Sequence, residues 1–456
     1  MAQHLNTRTD DGHALRPAAS AVLALAAAAC GADAPADDAV RREMLGDSVV
    51  LTFTAPAETA TVERVRTLWR SPELERPYTM ARVGDRLVVG DRTRVHILAP
   101  ADGDPAALAE DGAVTVGRRG EGPGEYRSIR SVGGLGPDTI AVYDSENTRV
   151  TYLSPDGERL GSRRITPEAP FINPALGGAP LVPWRGGFLW TVAGGVAIGR
   201  VTRHAIGWHD PEADTAAVLE VRDGERLVDL GGVFGPPELF GPRAHFALGA
   251  GPRLASGDGL EYCVTVRTLT TDDVLADAAV TTVDGEAAAV DASGRSGGAP
   301  EADAGATIRR LCRERPRSPV GDGIRSPDVS VLTDPDRRRM VEAMARNQEV
   351  GDLLPSYDRM LLGADGSLWV RTLGPEVAEI HPTVLRARPD LGPSRRLWDV
   401  FDVDGEAFVR IVRLPGPFDP RVVTGDGVVY GFHELATGEI VIGAVLPSAV
   451  EAAGAG

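Results

Sequence analysis

From Gly117 to Glu158 short apolar runs alternate with polar turns. The runs are Ile129 to Leu135, Ile140-Ala141-Val142-Tyr143-Asp144 and Arg149-Val150-Thr151-Tyr152-Leu153, separated by Pro137-Asp138-Thr139 and by Ser145 to Asn147. Each run suits a strand and is too short for a stable helix, and β-branched and aromatic residues recur in it. Ser154-Pro155-Asp156-Gly157-Glu158 then turns the chain into a fourth strand. Ahead of the first run, Gly117-Arg118-Arg119-Gly120-Glu121-Gly122-Pro123-Gly124-Glu125-Tyr126 is a connection that needs tight turns or positive φ. Four short strands in roughly forty residues make the blade of a propeller.

The pattern recurs with variations. Ala81 to Asp91, Arg94 to Leu98 and the turn Asp102-Gly103 repeat it upstream. Downstream, Trp184 to Val192 with Ala205 to Val221 supply one blade, and His245 to Leu269 with Ala306 to Arg313 another. Met360 to Val370 reads as two inner strands joined by Asp365-Gly366, and Leu397 to Asp402 and Phe408 to Leu414 follow. Val422-Val423, Val428 to Gly431 and Glu439 to Gly443 form the last blade. Ala60 to Trp69 is left over, and a strand there would complete the last blade and remove a free sheet edge.

The expected fold is therefore all-β: a six-bladed β-propeller over residues 59–447, with four-stranded antiparallel blades and one short inter-blade helix. That helix occupies 334–350, with Asp334 as N-cap and Pro335 at its first position. Met340, Val341 and Met344 share the face expected to bury against the propeller rim. Residues 272–305, rich in Ala, Asp, Gly and Ser, read as a mobile insertion within a blade, and 448–456 as a tail.

The Gly117 to Glu158 unit resembles the NHL repeat. In that family a Gly-rich segment ends in Gly-x-Phe, followed by an apolar strand, a V-x-D-x-x-N-x-R-[IV] stretch and an Asp-Gly turn. Here Tyr126 replaces the phenylalanine, and Val142, Asp144, Asn147, Arg149 and Val150 fit position by position. The resemblance implies that Asp144, Asn147 and Arg149 tie adjacent strands together rather than form an active site. Bacterial propellers of this kind include envelope proteins, interaction scaffolds and a few metal-dependent lyases or lactonases, whose metal ligands find no match in this sequence.

Arg8 and Arg16 precede an apolar run from Ala18 to Ala29, too short to span a bilayer but suited to a signal-peptide core. It ends at Ala27-Ala28-Ala29-Cys30-Gly31, which resembles a bacterial lipobox, with Ala27 where leucine is preferred. Ala-Ala-Ala also suits ordinary signal peptidase. The expectation is a signal over 1–30, lipidation at Cys30, and a tether and lead-in over 31–58. The protein would then be exported and held at the membrane by that lipid alone, facing the periplasm or the cell exterior. Cys263 and Cys312 lie in strand-like surroundings and are either disulfide-bonded or two buried thiols.

Composition narrows the chemistry. The formal net charge of -17 argues against a nucleic-acid partner. The 48 basic residues are all arginine, so neither a Schiff-base nor a phosphate-loop lysine exists. No metal-ligand spacing and no cofactor motif is present; His204 and His209 are five apart, wrong for a helical pair and for one strand face. One pattern remains. An aromatic or histidine, often with an arginine nearby, precedes several inner strands: Tyr78 with Arg76, Tyr126 with Arg127, His245 with Arg243, Tyr357 with Arg359, and Phe418 with Arg421. Such residues are expected to ring one channel mouth and bind a sugar, a peptide end or an anionic metabolite. The function expected is a monomeric binding module for an envelope protein or glycan. The alternative is a hydrolase or lyase working in the channel.

Overall fold

The chain is a six-bladed β-propeller. The computed structural model describes residues 40–54, 58–101, 104–164, 181–198, 201–210, 215–229, 234–249, 251–270, 308–377, 379–387, 392–393, 395–448 and 450. The signal segment with Cys30, the 272–305 insertion and most of the tail lie outside the described residues.

Each blade runs from an innermost strand outward by antiparallel hairpins. The innermost strands are Pro77–Val83, Ile129–Gly134, Val182–Trp184, His245–Gly249, Tyr357–Leu362 and Phe418–Val423. Blades one and two hold four strands each, as expected. Blade three gains Phe234–Pro237 as a fifth.

Blades four to six borrow their outer edges from the N-terminus. Val40–Leu45 and Ser48–Phe53 form a hairpin whose second strand pairs in parallel with Ile308–Arg313 of blade four. Thr59–Thr61 pairs in parallel with Ala407–Pro415 of blade five. Arg66–Trp69 pairs antiparallel with Ile440–Val445 and completes blade six; the single strand expected over Ala60 to Trp69 is thus two, the first of them on blade five. The 31–58 tether needs correcting in its second half. Leu51 and Phe53 are buried against blades four and five, Phe53 5.4 Å from the Phe401 ring, so residues 48–53 belong to the core.

Six apolar clusters fill the six seams between blades. Ile97, Tyr126, Val132 and Val142 join blades one and two, and Tyr143, Phe188 and Trp190 join two and three. The ring closes where Met80, Leu87 and Val89 of blade one meet Tyr430, Phe432 and Ile442 of blade six. Both faces of each sheet are therefore covered, which is why these strands carry long apolar stretches.

Polar side chains tie the connections down. Asp144 accepts from the backbone N–H groups of Arg127 (2.8 Å) and Ser128 (3.0 Å), and from the Asn147 side-chain amide (2.7 Å). Asn147 also donates to the Gly120 carbonyl (3.0 Å), and Arg149 to those of Glu121, Gly122 and Glu125. Asp91 does the same in blade one, accepting from Glu75 and Arg76 N–H at 2.7 Å each. Gly117 sits at φ 95°, and a Cβ there would come within 2.7 Å of the Tyr126 ring. A larger residue would push that ring out of the seam.

The helix forms as expected over Pro335–Asn347, with the Asp334 side chain accepting from Asp336 and Arg337 N–H. Its expected face is corrected. Val341 is buried, but Met340 is 48% exposed, and the partner is a second helical segment, Pro382–Ala387, rather than the rim. Leu332, Val341 and Val384 form a small separate core there.

Cys263 and Cys312 face each other across adjacent antiparallel strands of blade four and are disulfide-bonded, closing a 49-residue separation that contains residues 271–307. Two outcomes follow. Asp144→Ala orphans buried donors and should cost about 3 kcal/mol in chemical denaturation; a change near zero would remove its structural role. Replacing both cysteines by serine should cost about 2–4 kcal/mol. In addition, cleavage at a protease site engineered within 271–307 should yield fragments that separate only after reduction.

Candidate functional site

The innermost strands surround a cavity of about 1430 Å³ that follows the channel. Its distal end is formed by the hairpin turns near Gly84, Gly136, Gly251 and Gly425. At its proximal end, where the innermost strands begin, the chain adds a cap. Segments 314–356 and 373–387 both emerge on that side, and Met344, Gln348, Pro355, Leu373, Val377, Ile380, His381 and Leu385 line the cavity from it. The cap is stitched to the ring by Leu239, whose N–H donates to Glu349 (2.9 Å) and whose carbonyl accepts from Gly351 (3.0 Å).

Backbone irregularities place the key side chains. In four blades the pairing of the innermost strand skips one residue: Tyr78, Arg130 and Asp358 at the second position and Arg421 at the fourth. A bulge leaves its extra residue outside the ladder and re-aims the side chain. Tyr78, Asp358 and Arg421 line the cavity, and the Arg130 guanidinium lies 5.0 Å from the Tyr78 ring centroid.

These residues join a charged cluster. Asp358 receives a two-pronged bond from Arg371, at 2.6 and 2.7 Å. Asp419 accepts from Arg359 and, through its other oxygen, from Arg421 at 2.7 Å. Arg421 also donates to the Tyr78 carbonyl at 3.0 Å. Burial opposes ionisation of Asp419, yet the guanidinium groups of Arg359, Arg421, Arg371 and Arg396 outweigh it and hold the carboxyl well below its usual range. Burial lowers the Arg359 guanidinium to about 10; Asp419 counters that, while Arg421 and Arg371 add to it.

On the opposite wall, Arg243 pairs with Glu225 at 3.2 Å, beside His204 and His245. Burial pushes His204 down to about 4, aided by Arg243. It does the same to His245, although Asp358 works against it. Gly259, at φ +75°, leaves room for His245: a Cβ there would lie 2.9 Å from its Nε2.

Of the residues expected at the mouth, Tyr78, Arg243, His245, Arg359 and Arg421 line the cavity, while Arg76 is exposed and outside its lining. The others do not. Tyr126 is fully buried in the seam of blades one and two, where burial raises its hydroxyl to about 12. Tyr357 is fully buried between blades four and five and donates to the Cys263 carbonyl at 3.2 Å. Phe418 fills the seam of blades five and six. Arg127 is exposed and pairs with Glu121 and Glu146 away from the cavity. The single ring therefore gives way to a partial one, and Asp358, Arg371, Asp419, His204 and Glu225 are additions. Asp358 and Asp419 adjoin expected residues in sequence; Arg371 becomes visible only once the register sets it opposite Arg359.

No family model matches the chain, and no curated protein matches it. Among solved structures it is similar to a candidate exported protein of Bacteroides fragilis, at 10% identity and TM-score 0.44, covering 87% of this chain and 99% of that one. It is also similar to a DUF4221 family member from Bacteroides vulgatus, at 10% identity and TM-score 0.43, covering 85% and 97%. A gluconolactonase from Xanthomonas campestris is similar at 11% identity and TM-score 0.35, covering 86% and 98%. The likeness is one of fold.

The two histidines make a pH prediction. An unfolded histidine titrates near 6.5, whereas these two stay neutral down to about 4. Between those values the unfolded chain binds more protons, so stability falls as pH drops from 6.5 toward 4. The thermal midpoint should decline over that window, and less steeply in a His204→Gln/His245→Gln variant. Equal slopes would show that neither histidine is buried neutral.

Proposed function

We propose that this chain is an exported, lipid-anchored propeller of NHL-like blades that binds a small molecule, or the end of an envelope glycan or peptide, in its capped channel. The observation that carries the reading is the cavity itself. It is continuous, capped at one end, and supplied with polar side chains from blades one, three, four, five and six. Concave sites with a few convergent polar groups are where small ligands bind. Export and anchoring rest on the apolar run ending at Cys30 and accord with the Cys263–Cys312 disulfide, a bond of oxidising compartments. Among the described residues no helix is long and apolar enough to cross a membrane.

The hydrolase or lyase alternative has no specific observation in its favour. Among the described residues no group of three or more His, Cys, Asp or Glu converges to hold a metal ion.

Two measurements test the reading. Cys30→Ser should abolish metabolic lipid labelling and release the protein from membranes; retained labelling and retention would overturn the anchor. Native mass spectrometry of protein purified from envelopes should find a small molecule on the wild type. A Leu373→Trp/Leu385→Trp variant, which fills the cap side of the cavity, should lack it. Equal ligand content in both would place binding outside the channel.

A further inference from the structure

The charged cluster specifies the ligand's chemistry. Arg359, Arg371, Arg396 and Arg421 act on one another and on two carboxylates, Asp358 and Asp419. Both carboxyls are held below their usual range, and four guanidinium groups act on these two carboxylates. The other cavity-lining pairs at the proximal end are closer to balance: Arg243 with Glu225 at 3.2 Å, and Glu238 3.8 Å from Arg226. A part-buried excess of charge is costly unless a counter-charge accompanies it.

The aspartates also fix the geometry. Asp419 bridges Arg359 and Arg421, and Asp358 clamps Arg371 by both nitrogens. Guanidinium groups held in this way present planar donors that match carboxylate or phosphate oxygens. Beyond the cluster the wall changes character. Leu181, Val182, Leu248, Leu361 and Val422 line the cavity toward its distal end, with glycines at the turns.

We infer that the channel takes an amphipathic anion: one or two acidic groups seated among Arg359, Arg371 and Arg421, and an apolar body lying along the channel toward the distal end. This deepens the channel-binding reading and rests on it.

Isothermal titration of the purified full-length chain with three probes tests it. Phenylsuccinate carries both features, succinate lacks the apolar ring, and 4-phenylbutanamide lacks the charge. Phenylsuccinate should bind about tenfold or more tighter than either. Arg359→Gln and Arg421→Gln should each weaken phenylsuccinate by about tenfold and leave the amide unchanged. Circular dichroism of the variants checks that they fold. Equal binding of phenylsuccinate and the amide, or no binding of phenylsuccinate at all, overturns the anion inference. In the first case, loss of both probes in Leu373→Trp/Leu385→Trp leaves channel binding standing. Phenylsuccinate that binds this double variant as tightly as wild type would overturn the channel reading itself.

Discussion

A propeller is a ring of sheets packed face to face, and it has no unsatisfied face only where its first and last blades meet. Here that meeting buries eleven residues, among them Met80, Leu87, Tyr430 and Phe432. At about 1.5–3 kcal/mol for each fully buried large apolar side chain, the seam contributes roughly 20 kcal/mol before entropy is counted. Opening it would expose two sheet faces at once. The N-terminal segment reinforces the closure by laying strands along the outer edges of blades four, five and six in succession. The chain's first described residues thus edge the blades that come last in sequence.

The channel inherits its geometry from the closed ring, but its chemistry from small departures within it. Regular pairing sends Tyr357, Tyr126 and Phe418 into seams, where they are fully buried. One extra residue in the ladder turns Tyr78, Asp358 and Arg421 toward the cavity instead. The ionic cluster therefore sits at bulges on a scaffold whose seams hold the backbone in place. Bulges cost ladder hydrogen bonds, and three of these four put their extra side chain on the cavity wall.

This division explains what the sequence discloses. Blades are legible because every buried strand carries an apolar run bounded by turns, and Asp144-Ser145-Glu146-Asn147 marks a repeat by its own hydrogen bonding. The N-terminal hairpin is harder to read. Arg41, Arg42, Glu43, Met44 and Leu45 are exposed on an outer strand, so no alternation signals it, and Ser48–Phe53 looks like a lead-in until blade four supplies its partner. Site residues are legible to within a position or two. Arg359 and Arg421 stand out beside aromatics, but which of two neighbours enters the channel depends on a register shift that no residue type announces. Asp419, two residues before Arg421, shows the same limit: its role is fixed by Arg359 on another blade.

The cap differs from the ring in the quantity that decides local opening. Among the described residues it buries five apolar side chains, Ile324, Leu332, Val341, Leu354 and Val384, where the blade one–six seam buries eleven. By the same scale that is roughly 10 kcal/mol of burial against roughly 20, so less apolar burial holds the cap together than holds that seam. The walls of the cavity therefore rest on more apolar burial than its cover does.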